Sequence, residues 1–323
     1  MIKFLNDYGR NSKPCIFIIS YDKTDIRIFA PEDCRVNNIF YNINGFNNTL
    51  TGDYKPDSRI INKDYMFKRQ FITYDEYLKG FNIVRSNFIG GNSFLTNLTY
   101  PTKIKTDLTL RDFFYNSKAR YRFLYKDCFT VFSPESFVKI KSDTIYSTPM
   151  KGTISRTHKT AKKTLLADPK EFAEHITIVD LIRNDLSIVA KKVRVKRFRY
   201  LTEVENNSGG LLQMSSEITG KLTKGWQASM GDIIEALLPA GSITGAPKKK
   251  TVDIIKEAEG YERGFYTGIV GYFDGKNLDT GVMIRFVENT GNGLIYKSGG
   301  GITIYSNPAN EYNELKEKVY VPF

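Results

Sequence analysis

The stretch 265–305 constrains the fold more tightly than any other segment of the chain. Three strand-patterned segments, 265–273, 279–287 and 294–305, are separated by Asp274-Gly-Lys-Asn277 and Asn289-Thr-Gly-Asn-Gly293. Asn, Asp and Gly tolerate the positive φ that tight reversals need, so both breaks read as hairpin turns. Turns this short join antiparallel neighbours, because a parallel pair needs a crossover of about a dozen residues or more. The segment is therefore predicted as an antiparallel meander.

Helices are predicted in separate blocks. Tyr77, Phe81, Ile83 and Val84 fall near helical spacing from about Tyr74, and Gly90-Gly91 stops the run. Asp168-Pro169-Lys170-Glu171 supplies an N-cap acid, a first-turn proline and an acid three residues on, close to a capping box. Phe172, Ile176, Val179, Ile182 and Leu186 then form one apolar stripe. A third helix is expected from Ala246-Pro247 to Gly260, where glycine suits a left-handed C-cap. A last one follows Asn307-Pro308 toward Val319. Residues 1–68, with apolar runs such as Cys15-Ile-Phe-Ile-Ile-Ser-Tyr21, read as strands between polar turns, and further strands are expected at 94–100 and 120–132. Strands and helices are segregated rather than alternating, so an α+β fold is favoured over a doubly wound sheet.

Hydrophobic content of 41% and charged content of 25% across 323 residues leave room for a sizeable core. No apolar run approaches the ~20 residues of a membrane helix, and the N-terminal residues lack a signal-peptide pattern. Cys15, Cys34 and Cys128 are scattered, which fits reduced thiols in a cytoplasmic protein better than a disulfide framework or zinc site. The net charge of +12 allows an anionic partner, and Lys191-Lys-Val-Arg-Val-Lys-Arg-Phe-Arg199 is the densest basic run. No zinc-finger or RNA-recognition signature accompanies it. A solvated face is expected there, with neither nucleic acid nor membrane as partner.

Some residues carry possible chemistry. Glu171 and Glu174 are three apart on one predicted helix, and Glu311 and Glu314 repeat the spacing on another. Two such pairs suit a hard cation such as Mg²⁺; each alone is equally a solvated face, a helix cap, or an ion pair such as Glu314 with Lys318. Gly241-Ser-Ile-Thr-Gly245 and Gly299-Gly-Gly301 let backbone approach a ligand, or are simply tight turns. Lys151 lies between Pro149 and Gly152. It is a surface lysine or, if desolvated, a nucleophile.

Several motifs occur together: Ser133-Pro-Glu135, Pro149-Met-Lys-Gly-Thr-Ile-Ser-Arg156, Glu171-Phe-Ala-Glu-His-Ile-Thr-Ile-Val-Asp-Leu-Ile-Arg-Asn-Asp185, Gly241-Ser-Ile-Thr-Gly-Ala-Pro-Lys248, Arg263-Gly-Phe-Tyr266, Ile284-Arg285, Gly299-Gly-Gly-Ile302 and Glu311-Tyr-Asn-Glu314 with Lys318. In this order they resemble the chorismate-binding enzymes, strongly over residues 69–323, the expected catalytic domain, and weakly over the strand-rich residues 1–68. The resemblance implies two large facing antiparallel sheets with helices packed outside. It also implies direct Mg²⁺ ligands at Glu174 and Glu314, with Glu171 and Glu311 beside them. Gly152, Thr153 and Ser242 would contact the ring-carboxylate end of chorismate. Tyr266, Arg285 and Gly301 would clamp the enolpyruvyl carboxylate, and Lys318 would balance the acids.

A lysine at position 151 is similar to that of the aminodeoxychorismate synthases; anthranilate synthases carry a small residue there. The resemblance then implies that Lys151 attacks ring carbon 2 while Glu135 protonates the departing 4-hydroxyl, and ammonia adds at carbon 4 and expels the lysine. Pyruvate would stay on. Where the family commonly has a histidine, this chain has Gln213, which hydrogen-bonds but does not shuttle protons near neutral pH. No tryptophan-binding motif is found near the N-terminus, so feedback by tryptophan is not expected. Only His158 and His175 occur, and no cysteine sits in a nucleophile-elbow context, so ammonia is expected from a partner glutamine amidotransferase subunit or free in solution. The alternatives are anthranilate synthase, isochorismate synthase, or a non-catalytic basic binding protein. Lys151 argues against the first, the base lysine of the second is not identified, and the four acids argue against the third.

Overall fold

The computed structural model describes residues 2–155, 161–167, 169–204 and 211–323, with side chains except at 151–155, 161, 164–165, 169–171, 203–204 and 211. Among the described residues the strands are β1 Cys15–Ile19, β2 Ile26–Phe29, β3 Ile39–Ile43, β4 Phe46–Asn47, β5 Phe67–Gln70, β6 Leu95–Thr106, β7 Tyr121–Tyr125, β8 Phe129–Ser133, β9 Ser136–Lys141, β10 Thr144–Ser147, β11 Met150–Ser155, β12 Lys191–Val204, β13 Leu211–Lys221, β14 Gly245–Ala246, β15 Ile269–Phe273, β16 Leu278–Val282, β17 Phe286–Asn289 and β18 Leu294–Ile302. The helices are α1 Lys3–Arg10, α2 Pro31–Cys34, α3 Ser58–Ile61, α4 Tyr74–Ile89, α5 Leu110–Asn116, α6 Ala161–Ala167, α7 Pro169–Val189, α8 Met230–Leu237, α9 Lys248–Glu259 and α10 Pro308–Glu317. The strands form two nine-stranded antiparallel sheets, and the fold is α+β as expected. None of the described helices is long and apolar enough to cross a membrane.

The chain divides into two compact units, each assembled from separated segments. The first comprises Met1–Pro14, Glu135–Ser242 and Phe273–Thr280. Within it, β13 is flanked by β12 on one side and by β11 and β10 on the other. Helix α7 buries His175, Ile178, Val179, Ile182 and Leu186. This stripe is turned from the predicted one: Phe172 and Ile176 stay 40% and 42% exposed. The Arg199 guanidinium covers the Phe172 ring from 4.6 Å instead, a contact between β12 and α7 that periodicity does not encode. The acid expected to cap α7, Asp168, lies outside the described residues.

The second unit comprises Cys15–Pro134, Ile243–Tyr272 and Gly281–Phe323. It holds one whole sheet, ordered β14-β6-β18-β17-β8-β7-β3-β4, with β5 on β6. Phe113, Phe132 and Tyr296 fill one of its cores, and Phe123, Val131 and Phe286 another. Each fully buried apolar side chain contributes roughly 1.5–3 kcal/mol. Helix α4 starts at Thr73 with a reciprocal Thr73–Glu76 capping box. Helix α9 stops at Gly260, which has φ +64°, as the sequence implies.

Three expectations change. The N-terminal strands are joined by helices, α1 first among them, because its buried Leu5 and Asn6 anchor a helical face within strand-like composition. The meander is split: β15 and β16 belong to one sheet, β17 and β18 to the other. The break falls at Arg285, which has φ +55° and interrupts the extended run. Finally, Gly241-Ser-Ile-Thr-Gly245 does not lead straight into a helix. It forms a short 3₁₀ turn, then β14 pairs with Thr96 and Leu95 before α9 begins.

Candidate active site

In the first unit Gln213 lies on β13, and Lys151, Gly152 and Thr153 lie on β11 beside it. Met150 of β11 pairs with Ser215 and Thr153 with Gln213, so Lys151 and Gly152 together stand opposite Met214 alone. That is a β-bulge, a device that re-aims a side chain and recurs beside active sites. The side chains of Lys151, Gly152 and Thr153 lie outside the described residues, as does that of Glu171. Gln213 is half-buried and also pairs with Thr202 of β12.

Glu174 is half-buried on α7, and its neighbour His175 is fully buried. His175 Nε2 lies 2.7 Å from Ser216 Oγ on β13. Glu135, in the turn between β8 and β9, accepts a hydrogen bond from the Ser242 hydroxyl. A Cβ on Gly241 beside it would come within 2.9 Å of Asp185 Oδ2 and 3.0 Å of Leu181 Cδ2 on α7, side-chain ends that would have to shift. Glu135, Asp185, Gly241 and Ser242 line a cavity of about 20 Å³. It holds about one water and is too small for a ring substrate.

In the second unit α10 carries the acids. Asn307 caps it by accepting from the Ala309 and Asn310 amides, with Pro308 in the first turn. Glu311 is buried and Glu314 half-exposed. Both reach over the glycine run of β18. A Cβ on Gly300 would lie 3.6 Å from Glu314 Oε1 and from Lys318 Nζ, and 3.7 Å from Glu311 Oε2. Lys318 Nζ donates to Glu314 Oε1 at 2.6 Å and to the Gly299 carbonyl at 2.8 Å. Gly301, on the same β18, pairs with Asn97 of β6. The donors here are carboxylate oxygens with one balancing ammonium, a set whose chemistry suits Mg²⁺. Among the described residues no group of three or more His, Cys, Asp or Glu is arranged to hold a metal.

Arg285 is the other cation of this unit's set. Its Nε donates to Tyr320 Oη at 3.4 Å, and its guanidinium lies 5.7 Å from that ring. Burial works against its charge, but Tyr320 and Tyr296 outweigh it and raise its pKa. Its positive φ is the strained kind of backbone found at ligand sites. Tyr266 is buried against Phe286, with ring centroids 5.9 Å apart. Tyr320 is a residue that sequence reasoning passed over, since it lies beyond α10 in no motif. Ser216 and His175 were passed over too; the histidine count was read only against a glutaminase.

Sequence comparison identifies the family. The profile of the chorismate binding enzymes matches residues 56–322. The chain belongs to that family. An uncharacterized PabA-like protein of Haemophilus influenzae is 45% identical over 321 residues, 99% of this chain and 96% of its own length. Aminodeoxychorismate synthase component 1 of Bacillus subtilis is 37% identical over 196 residues, 58% of this chain and 40% of its own length. Anthranilate synthase component 1 of Archaeoglobus fulgidus is also 37% identical, over 190 residues, 58% of this chain and 45% of its own. The solved structure of anthranilate synthase component I from Streptococcus pneumoniae TIGR4 superposes with a TM-score of 0.69 at 22% identity, covering 94% of this chain and 79% of that one. That likeness establishes the anthranilate synthase component I-like fold.

Proposed function

We propose that this chorismate-binding enzyme aminates chorismate to 4-amino-4-deoxychorismate, a para-aminobenzoate and folate precursor. The observation that carries the reading is Lys151 within the two-residue bulge of β11. Overall identity does not separate the two aminating classes, since the relatives named for each are equally similar. Lys151 does separate them, being the residue that the resemblance ties to a covalent first step. Its amine attacks ring carbon 2, both ring double bonds shift by one position, and the 4-hydroxyl leaves as water on taking a proton from Glu135. Ammonia then bonds to carbon 4, both double bonds shift back, the Lys151 amine departs, and the Glu135 carboxylate takes up the proton that the added nitrogen loses.

The other groups bind and orient. Arg285 and Tyr266, with the Gly301 amide, suit the enolpyruvyl carboxylate, because a guanidinium fork matches a carboxylate. Gly152, Thr153 and Ser242 attend the ring-carboxylate end. Glu174 and Glu314 would hold Mg²⁺ in this reading, with Glu171, Glu311 and Lys318 as further charged groups. The metal, when bound, would stabilise charge developing on the ring carboxylate. A partner glutamine amidotransferase supplies ammonia.

Product analysis tests this. The purified chain with chorismate, Mg²⁺ and ammonium is expected to yield aminodeoxychorismate with pyruvate retained, while glutamine alone gives nothing and excess chelator stops turnover. Anthranilate with released pyruvate would mean the anthranilate synthase reading instead. Full turnover in chelator would remove the metal from the account.

A further inference from the structure

Ser216 is a junction of three elements of the first unit. Its amide donates to the Pro149 carbonyl at 3.1 Å, just ahead of the Lys151 bulge. Its hydroxyl accepts from the Arg199 amide at 2.9 Å. That amide belongs to a second bulge: Arg197 pairs with Glu217 and Tyr200 with Ser215, so Phe198 and Arg199 stand opposite Ser216 alone. The same hydroxyl meets His175 Nε2 at 2.7 Å. His175 is fully buried on α7, adjacent to Glu174, with Phe198 against its ring at 5.9 Å. Arg199 continues the tie, reaching Met214 Sδ at 3.1 Å and the Leu166 carbonyl of α6 at 2.8 Å. Met214 is the residue that faces Lys151 and Gly152 across the ladder.

A bulge has fewer ladder hydrogen bonds to fix it than a regular pair. Here one on each side of β13 is tied to Ser216, by the amide on the β11 side and by the hydroxyl on the β12 side. We infer that His175 and Ser216 are positioning residues, which hold the strand bearing Lys151 in register with the helix bearing Glu174. Neither is assigned contact with substrate. The inference rests on the amination reading, in which Lys151 and Glu174 act on one substrate. Groups that orient reacting residues typically change activity ten- to hundredfold when removed, because small misplacements of reacting atoms are costly.

The test compares Ser216→Ala, His175→Leu and His175→Gln in the full-length chain. A glutamine amide carries a donor and an acceptor near the place of imidazole Nε2, so it preserves the bond to Ser216 without the ring. The readouts are steady-state kcat and KM for chorismate, the rate of adduct formation at Lys151 by intact mass with ammonia withheld, and the melting temperature. Ser216→Ala and His175→Leu are expected to lower kcat and the adduct rate by roughly ten- to hundredfold, with KM little changed and melting only slightly lowered. His175→Gln is expected to stay near wild type. Unchanged kcat in Ser216→Ala would overturn the inference, as would a His175→Gln as slow as His175→Leu. A loss of kcat that merely follows loss of folded protein would also overturn it, and His175→Gln reports on this even where the other variants fail to fold. Absence of a wild-type adduct, or a product other than aminodeoxychorismate, would refute the amination reading, while the kcat comparison still decides whether the pair positions anything.

Discussion

In the amination reading residue 151 is the nucleophile, and its backbone lies in a β-bulge of β11. Lys151→Ala is therefore expected to abolish the covalent adduct and to lower aminodeoxychorismate formation by at least about a hundredfold, in the range seen when covalent or acid–base groups are removed. Wild-type rates in this variant, measured as product per enzyme, would reduce the lysine to an electrostatic contact. At this scale sequence supplies candidates, because Glu135, Lys151, Ser242, Arg285 and the four glutamates fall in short motifs. What was not legible was who holds whom. Ser242 donating to Glu135, Ser216 meeting His175 and Tyr320 lying on Arg285 are contacts across many residues of chain. No local pattern writes such pairs, since each partner is an ordinary polar residue where it stands.

Among the elements, the β18–α10 unit allows a sharp contrast between neighbouring glycines. At Gly299 a Cβ would fall 2.4 Å from the Leu98 carbonyl oxygen and 2.7 Å from the Thr99 Cα, both backbone atoms of β6. At Gly300 a Cβ would meet only the tips of Glu311, Glu314 and Lys318, at 3.6–3.7 Å. Gly299→Ala is thus expected to cost about 1–3 kcal/mol of stability through overpacking. Gly300→Ala is expected to fold normally and yet to bind chorismate poorly, because the methyl fills the space between strand and carboxylates. Denaturation midpoints and substrate KM, measured side by side, check this; equal stability losses in both would show that the glycine run is only structural. Element boundaries were readable where capping chemistry fixes them, as at Gly90, Gly260 and Asn307. They were misread where tertiary contact overrides period. Arg199 shields Phe172, so the buried stripe of α7 turns toward His175 and Ile178. A positive φ at Arg285 sends one predicted strand into two sheets.

For the whole molecule, the question is what secures units built from distant segments. In the second unit the answer centres on Arg263 and Glu259, whose side chains are 2% and 1% exposed. Arg263 donates to both Glu259 oxygens, at 2.6 and 2.9 Å, and to the carbonyls of Ile243 and Asn97. Glu259 also accepts from the Thr99 amide and hydroxyl. The stretches at 97–99, 243 and 259–263 are thereby joined at one buried charge pair. Burial opposes the charge on Arg263, but the Glu259 carboxylate outweighs it and raises the pKa above the ordinary arginine value. Such a pair adds little compared with a well-packed apolar replacement, yet losing one member leaves a buried charge uncompensated. Arg263→Leu is therefore expected to cost about 3–5 kcal/mol, and Arg263→Leu with Glu259→Leu distinctly less. Urea unfolding followed by more than one probe is the measurement, since two compact units need not unfold in one step. If the double variant were as unstable as the sum of the two singles, the carboxylate and guanidinium would act independently. The unit would then owe its closure to the carbonyl contacts of Arg263 and the Thr99 bonds of Glu259 taken separately.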